Sequence, residues 1–509
     1  MMYSSVKTLA LSGLVGTEIN VEADMSDGLP VFEMVGFLGG EVKEARERVR
    51  TALKNNGITL PPKRITVNLS PADIRKTGTS YDLAVAVSLL KLLGEIPTDA
   101  ADGMMVIGEL GLSGKVHAVS GVLPMVIQAK EIGIKKCMVP ADNYTEAAAV
   151  DGMEIAGVNS TDEMLSFFNG ELTDCIRERK QTCISGGRYD VDFSEINGQE
   201  TCRRAMEIAA AGMHNILLIG PPGAGKTMLA KRLPTILPAP DHGECMEITK
   251  IYSVAGLLGN GQGLITTRPF VNPHHTISQV ALAGGGGLPK PGACTLAHRG
   301  VLFLDELPEF SHNALEILRQ PLEEREINIQ RAQAACTYPA DFLLCAAMNP
   351  CRCGYYPDRS KCRCTDNDVR KYLGRISGPL LDRIDICAEA SEVDYGSLKG
   401  NGKNESSDSI RKRVERAANI QHERYAGTGI RFNSEISVRD IETYCHLGAA
   451  EERMMRNAFE SMKLSARAFH RMLRVSRTIA DLDGSADIKV NHLSEAIGFR
   501  SIDGRYWNG

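Results

Sequence analysis

The sequence predicts an α/β protein built in three parts, and three observations carry that prediction. Short apolar runs of strand length alternate with helical patterns over the first ~170 residues, and do so again from 193 to 395. A polar, charged stretch with Gly186-Gly187 inside it separates the two blocks at 171–192. Beyond a stretch at 396–409 rich in Gly, Asn, Ser and Lys, the pattern is helical through to residue 509.

Within the first block, residues 45–56 read as a helix stopped by Gly57, and 65–69 as a strand. Residues 82–93 are apolar nearly all round and end at Gly94, the pattern of a buried helix. Residues 123–131, Gly133 and 136–139 read as helix, turn and strand. The second block offers buried-strand runs at 216–219, 301–304 and 342–347, with a helix pattern at 226–233. The last part gives helices at 410–424, 449–462, 466–482 and 492–499.

Composition bounds the function. A length of 509 residues allows two to four domains, and 43% hydrophobic with 24% charged residues is ordinary for a globular protein. The formal net charge of -5 excludes an overall basic nucleic-acid binder but not a local basic lining. No apolar stretch approaches the roughly 20 residues a membrane span needs, and no signal peptide is visible, so a cytoplasmic protein without a membrane partner is expected. Its 14 cysteines are then thiols or metal ligands rather than a disulfide framework.

The chemistry is concentrated after the strand Ile216-Leu-Leu-Ile219, which runs into Gly220-Pro221-Pro222-Gly223-Ala224-Gly225-Lys226-Thr227 and then a helix pattern. That context is what a phosphate-binding loop demands: glycines turn backbone N–H groups inward at a helix N-terminus, where anions are favoured. Lys226 is expected to reach the β and γ phosphates of ATP, and the Thr227 hydroxyl to ligate Mg²⁺. Val301-Leu-Phe-Leu304 ends in Asp305-Glu306. Asp305 suits a ligand that holds Mg²⁺ through water, and Glu306 suits the general base that polarises the attacking water. The third run ends at Met348-Asn349-Pro350, where Asn349 fits a γ-phosphate sensor; a turn-forming Asn-Pro is the alternative. Leu380-Leu-Asp-Arg383 supplies a candidate arginine finger for a neighbouring subunit, the alternative being a surface ion pair with Asp382 or Asp385.

Taken in order, Gly220–Thr227, Pro273-His-His-Thr-Ile-Ser278, His298-Arg-Gly-Val-Leu-Phe-Leu-Asp-Glu306, Asn349-Pro-Cys and Ser377-Gly-Pro-Leu-Leu-Asp-Arg383 resemble the magnesium-chelatase-like AAA+ ATPases, and more closely their ComM/YifB branch. The resemblance implies an N-terminal Lon-protease-like α+β domain (1–170), a linker (171–192), a central AAA+ P-loop α/β domain (193–395) and a C-terminal helical lid (396–509). It implies a homohexameric ring with Arg383 as its finger, Arg467 in the lid as second nucleotide sensor, and Gln199 on the base side of the nucleotide. It also implies ATP-driven movement on DNA in recombination, with a chelatase-like or protein-remodelling ATPase as the alternative. In the N-terminal block Ser80 falls at the nucleophile position of a Lon Ser–Lys dyad, but Leu123 stands where the lysine belongs. Leucine cannot activate a serine, so a protease fold without protease activity is expected.

Cys351, Cys353, Cys362 and Cys364 form two pairs joined by a short loop, a set suited to one structural Zn²⁺; a reduced, metal-free loop is the alternative. For DNA, Lys463, Arg467, Arg471, Arg474 and Arg477 fall at helical spacing along one side of a helix, as phosphate contacts or as a solvated face. The Gly-rich insert 274–287 with Lys290, and an apparent hairpin around 327–331 with Arg331, are the better channel candidates for non-specific backbone contacts. With aromatics at 5% and no base-reading module, sequence-specific binding is not expected.

Overall fold

The computed structural model describes residues 2–171, 189–286, 289–331, 334–392 and 404–507. The expected linker at 171–192 and the boundary stretch at 396–409 lie largely outside the described residues.

The N-terminal part is a seven-stranded mixed sheet of order β3-β4-β2-β1-β5-β6-β7. These strands are β1 (Met2–Ser12), β2 (Val15–Ser26), β3 (Val31–Val35), β4 (Arg64–Ser70), β5 (Met104–Val106), β6 (Lys136–Pro140) and β7 (Glu154–Val158). Gly13, at φ +63°, makes the turn that lets β1 and β2 pair along their whole length. One face packs on α1 (Gly40–Asn55) and α2 (Asp82–Leu93), the other on α3 (Val122–Glu131). Helix α2 is buried from Asp82 to Leu92, as its all-round apolar pattern predicts. The carboxylate at its first residue is held by the Arg48 guanidinium, Nε to Oδ2 at 2.7 Å and Nη2 to Oδ1 at 2.9 Å. Helix α1 begins five residues before the expected 45, because Val42 joins its buried stripe despite the preceding glycines.

The central part is a five-stranded parallel sheet of order β9-β12-β15-β8-β16. Its strands are β8 (Ile216–Ile219), β9 (Phe270–Val271), β12 (Val301–Leu304), β15 (Leu343–Met348) and β16 (Ile386–Glu389). Between them lie two small hairpins, β10 (Gly284–Gly285) with β11 (Lys290–Pro291), and β13 (Glu326–Arg331) with β14 (Ala334–Pro339). The continuous apolar runs are explained by burial on both faces. Leu217, Ile219, Leu302, Leu304, Leu344 and Ala346 enter one core, while Ile216, Leu218, Val301, Phe303, Leu343 and Cys345 enter the other. Three helices that matter below are α4 (Glu200–Gly212), α5 (Lys226–Ile236) and α6 (His242–Ala255).

The C-terminal part is helical, with α7 (Ser407–Arg424), α8 (Ala449–Ser461), α9 (Ala466–Leu482) and α10 (Val490–Trp507). The expected helix at 492–499 is longer at both ends. Ile502 and Tyr506 are drawn into the central core and carry the helix past Phe499. The expected basic stripe is also corrected. Lys463 lies before α9 rather than on it. Arg471 is buried and donates to the Ile384 carbonyl at 2.7 Å, and buried Arg477 donates to the carbonyls of Ser485 (2.6 Å) and Ala486 (2.7 Å). These arginines close helix and loop ends inside the fold, so they form neither a solvated face nor a DNA contact.

Phe303 is fully buried and stacks on Phe270 at 5.8 Å between centroids. Phe303→Ala is expected to lower stability by about 3–5 kcal/mol, read as a lower midpoint in urea unfolding.

Candidate nucleotide site

The parallel order places the ends of β8, β12 and β15 side by side, so three loops distant in sequence converge on one point. Gly223 (φ +78°) and Gly225 (φ +83°) take the left-handed conformations that bend the chain from β8 into α5. Lys226 is buried, and its Nζ donates to the carbonyls of Gly220 (2.7 Å) and Pro221 (2.8 Å) and to Asn349 Oδ1 (3.0 Å). Burial lowers its pKa, and the nearby Asp305 carboxylate works against that shift. Thr227 Oγ1 donates to Asp305 Oδ2 at 2.6 Å. A hydroxyl and a carboxylate so close, beside a phosphate-binding turn, are the donor set an Mg²⁺–nucleotide complex needs.

Glu306 follows Asp305 but projects differently: it sits at φ +52° and its side chain is 57% exposed. Its Oε2 lies 3.5 Å from Nδ1 of His275, a neighbour that the reading of separate motifs did not pair with it. Gln199, expected at the base side of the nucleotide, is instead engaged within the protein. Its Nε2 donates to the carbonyls of Ala224 (3.0 Å) and Ser391 (2.6 Å), and its Oε1 accepts from Ser391 N (3.2 Å). It therefore lashes the phosphate-binding loop to the end of β16.

Arg383 and Arg467 are brought together elsewhere, on a cavity of about 290 Å³ lined by eight arginines and six carboxylates. No residue of the Gly220–Thr227 loop lines it. Arg383 pairs with Glu323, not with Asp382 or Asp385, and donates to the Pro379 carbonyl at 2.5 Å. The Nε atoms of Arg383 and Arg474 are buried without a hydrogen-bond partner, and burial lowers the Arg474 pKa. Such a cavity suits an anion supplied from outside the chain.

The cysteine loop presses on the phosphate-binding loop. Gly354, at φ +87°, has no room for a side chain, because a Cβ there would meet the Pro222 ring at 2.3 Å. The Sγ atoms of Cys351, Cys353 and Cys362 are 3.3–3.7 Å apart, and all four ligand atoms, Cys364 included, lie within 4.8 Å of one another. Four thiolates at about 2.3 Å from one tetrahedral Zn²⁺ would stand roughly 3.8 Å apart, so the set fits. In the N-terminal part Ser80 is buried, and Leu123 is packed in the core on the α3 side of the sheet.

A 5-1-4-3-2 type parallel sheet with a phosphate-binding loop after β8 and an acidic pair after β12, one strand beyond the intervening β15, defines a P-loop ATPase module of the AAA+ class. Family models agree. "Magnesium chelatase, subunit ChlI" matches residues 192–398, "Subunit ChlI of Mg-chelatase" matches 21–143, and its C-terminal model matches 404–500. The chain is 39% identical over 510 residues to competence protein ComM of Haemophilus influenzae, covering 99% of this chain and 98% of that one. It is also 39% identical over 504 residues to YifB of Escherichia coli K12, covering 99% and 98%. The chain belongs to the ComM/YifB branch of the magnesium-chelatase-like AAA+ proteins. A local likeness to Lon protease 2 of Bacillus subtilis, 32% identical over 124 residues (24% of this chain, 22% of that one), accords with a Lon-like N-terminal layout. Family membership supports an ATPase role, with ATP and Mg²⁺ as its cofactors.

Gly354→Ala is expected to push the cysteine loop off Pro222 and weaken ATP binding by about tenfold, a shift of roughly 1.4 kcal/mol, with the fold retained. Titration with a fluorescent ATP analogue checks it.

Proposed function

We propose that the protein is an Mg²⁺-dependent AAA+ ATPase that works as a homohexameric ring and moves on DNA without sequence preference. The domain boundaries we assign are those of the sequence: a Lon-like domain without protease activity to residue 170, the ATPase core at 193–395 and the helical lid from 396. Leu123 in the core, where a dyad would need a base, supports the inactive reading.

The observation that carries the oligomeric reading is the separation of two half-sites. The phosphate-binding loop with Asp305, Glu306 and Asn349 forms one half, and the cavity of Arg383 and Arg467 forms the other. One chain holds both, with no loop residue on the cavity, so a complete site takes one half from each of two neighbours. Lys226 then grips the phosphates, Thr227 and Asp305 hold the metal, Glu306 polarises the attacking water and Asn349 orients it. Arg383 and Arg467 of the adjacent copy stabilise the charge that develops on the γ-phosphate. Cys351, Cys353, Cys362 and Cys364 would hold a structural Zn²⁺, and a loop so clamped would keep Gly354 against the phosphate-binding loop. For DNA, the supporting features are exposed Lys290 on the insert and the β13–β14 hairpin beside it, together with a relative named as a competence protein.

Arg383→Ala is expected to cut kcat by about a thousandfold with little change in KM for ATP. Mixing that variant with Lys226→Ala, itself inactive, should restore part of the turnover, because mixed rings contain sites with both halves intact. Single-stranded or branched DNA should raise the ATPase rate at low salt and lose its effect at high salt. No response of rate or assembly to DNA would favour a chelatase-like or protein-remodelling role. Metal analysis of protein purified without chelator should find about one zinc per chain, lost in the Cys351→Ser variant.

A further inference from the structure

Arg383, the proposed link to a neighbouring copy, has a side chain that is only 9% exposed. Its Nη2 pairs with the Glu323 carboxylate, its Nη1 donates to the Pro379 carbonyl at 2.5 Å, and its Nε is buried without a partner. Glu323 is the open member of this pair, with 54% of its side chain exposed. It lines the same cavity as Arg467, whose side chain makes no ion pair among the described residues. The Arg383 hydrogen bond holds the Glu323 carboxyl below the usual carboxylate range against the opposing effect of burial, and the charge of Arg467 adds to it. The other carboxylates of the cavity are engaged elsewhere. Glu244, Asp341, Asp382 and Glu435 pair with other arginines, and Asp385 accepts from Asn215 N at 3.1 Å. One carboxylate therefore stands in the field of both guanidiniums of the half-site, where a phosphate from the second copy would have to lie.

The place of Glu323 is set by the backbone. The short helix Arg319–Glu324 stops at Arg325, which takes φ +59° and donates its N–H to the Pro321 carbonyl at 3.0 Å. Arg325 is held in turn by Glu435 of the C-terminal part, and its carbonyl accepts from Ala340 N at 2.8 Å at the foot of the β13–β14 hairpin. A clamped turn thus presents the carboxylate to the cavity.

We propose that Glu323 is a positioning residue whose carboxylate stands in for the neighbour's γ-phosphate, masking Arg383 beside Arg467 until that phosphate displaces it. The proposal rests on the assignment of Arg383 and Arg467 to a site completed by a second copy. The exchange swaps one ion pair for another and makes no covalent bond. A half-exposed carboxylate holds a guanidinium weakly in water, whereas a phosphate brings more charge and more acceptor oxygens, so the exchange favours the phosphate. Hydrolysis then waits for a nucleotide-loaded neighbour.

The first test measures binding of inorganic tripolyphosphate, without Mg²⁺, to the full chain carrying Lys226→Ala, which weakens the phosphate-binding loop as a competing site. Adding Glu323→Gln is expected to tighten binding roughly three- to fivefold, and adding Arg383→Ala as well should abolish the gain. The second test follows steady-state ATP turnover against protein concentration with Lys226 intact. Glu323→Gln should reach half-maximal specific activity at a protein concentration lower by the same factor, with Glu323→Asp between it and wild type. Glu316→Gln, which removes a nearby carboxylate that serves Ser377 and Arg319, should leave that midpoint in place. Unchanged or weaker tripolyphosphate binding in the Glu323→Gln chain overturns the proposal. So does a midpoint that stays put or that Glu316→Gln shifts equally, and so does a fall in kcat alone, the mark of a merely structural role. If turnover is independent of protein concentration while Glu323→Gln still tightens tripolyphosphate binding, the two-copy reading fails and the masking of Arg383 stands.

Discussion

Everything at the nucleotide site depends on β8 lying between β15 and β16 in a fully buried parallel sheet. Parallel pairing aligns strand ends, so the loop after β8 meets the loops after β12 and β15 without any long-range search by the side chains. The hydrogen bonds Thr227–Asp305 and Lys226–Asn349 are consequences of that alignment. They link residues 78 and 123 positions apart through two-atom contacts that a displaced strand would break. The phosphate-binding loop is also supported from outside. Gln199 ties it to the end of β16, and the cysteine loop lies on Pro222.

Much of this was legible in the sequence because the relevant signals are local. A glycine-rich turn after four apolar residues, and an acidic pair after four more, specify a strand, a loop and a charge at the strand tip. Helix α2 and strands β8 and β12 appear with the bounds their apolar runs suggest. What stayed hidden depends on pairing. His275 and Glu306 are 31 positions apart, and only the offset between β9 and β12 makes them neighbours. The spacing of the α9 arginines is helical, but spacing does not reveal that carbonyl groups of loops at 384 and 485–486 wait for them. Likewise Gln199 looks free to meet a ligand until the end of β16 is seen to saturate its amide.

The arginine cavity illustrates a different limit. Six of its eight arginines have a plain local explanation as ion-pair partners, as Arg268 has with Glu244 at 2.7 Å. Only their collection on one wall, with two Nε atoms unpartnered, gives the surface a use. Buried guanidinium groups are costly to desolvate unless fully paired, so an incomplete set is most easily understood as awaiting another anion.

The junction between the N-terminal sheet and α6 has a mechanical consequence. Ser253 Oγ donates to the buried Glu146 carboxylate at 2.7 Å, and Asn143 Nδ2 donates to it at 2.6 Å. Gly121 N reaches the Ser253 carbonyl at 3.0 Å, with Met246 and Leu264 packed against the same apolar cluster. At its other end α6 carries Glu244, whose carboxylate meets Arg268 and Arg431 on the arginine cavity. One helix is thus bolted to both, and a tilt of the N-terminal sheet becomes a lever on the wall of the arginine cavity.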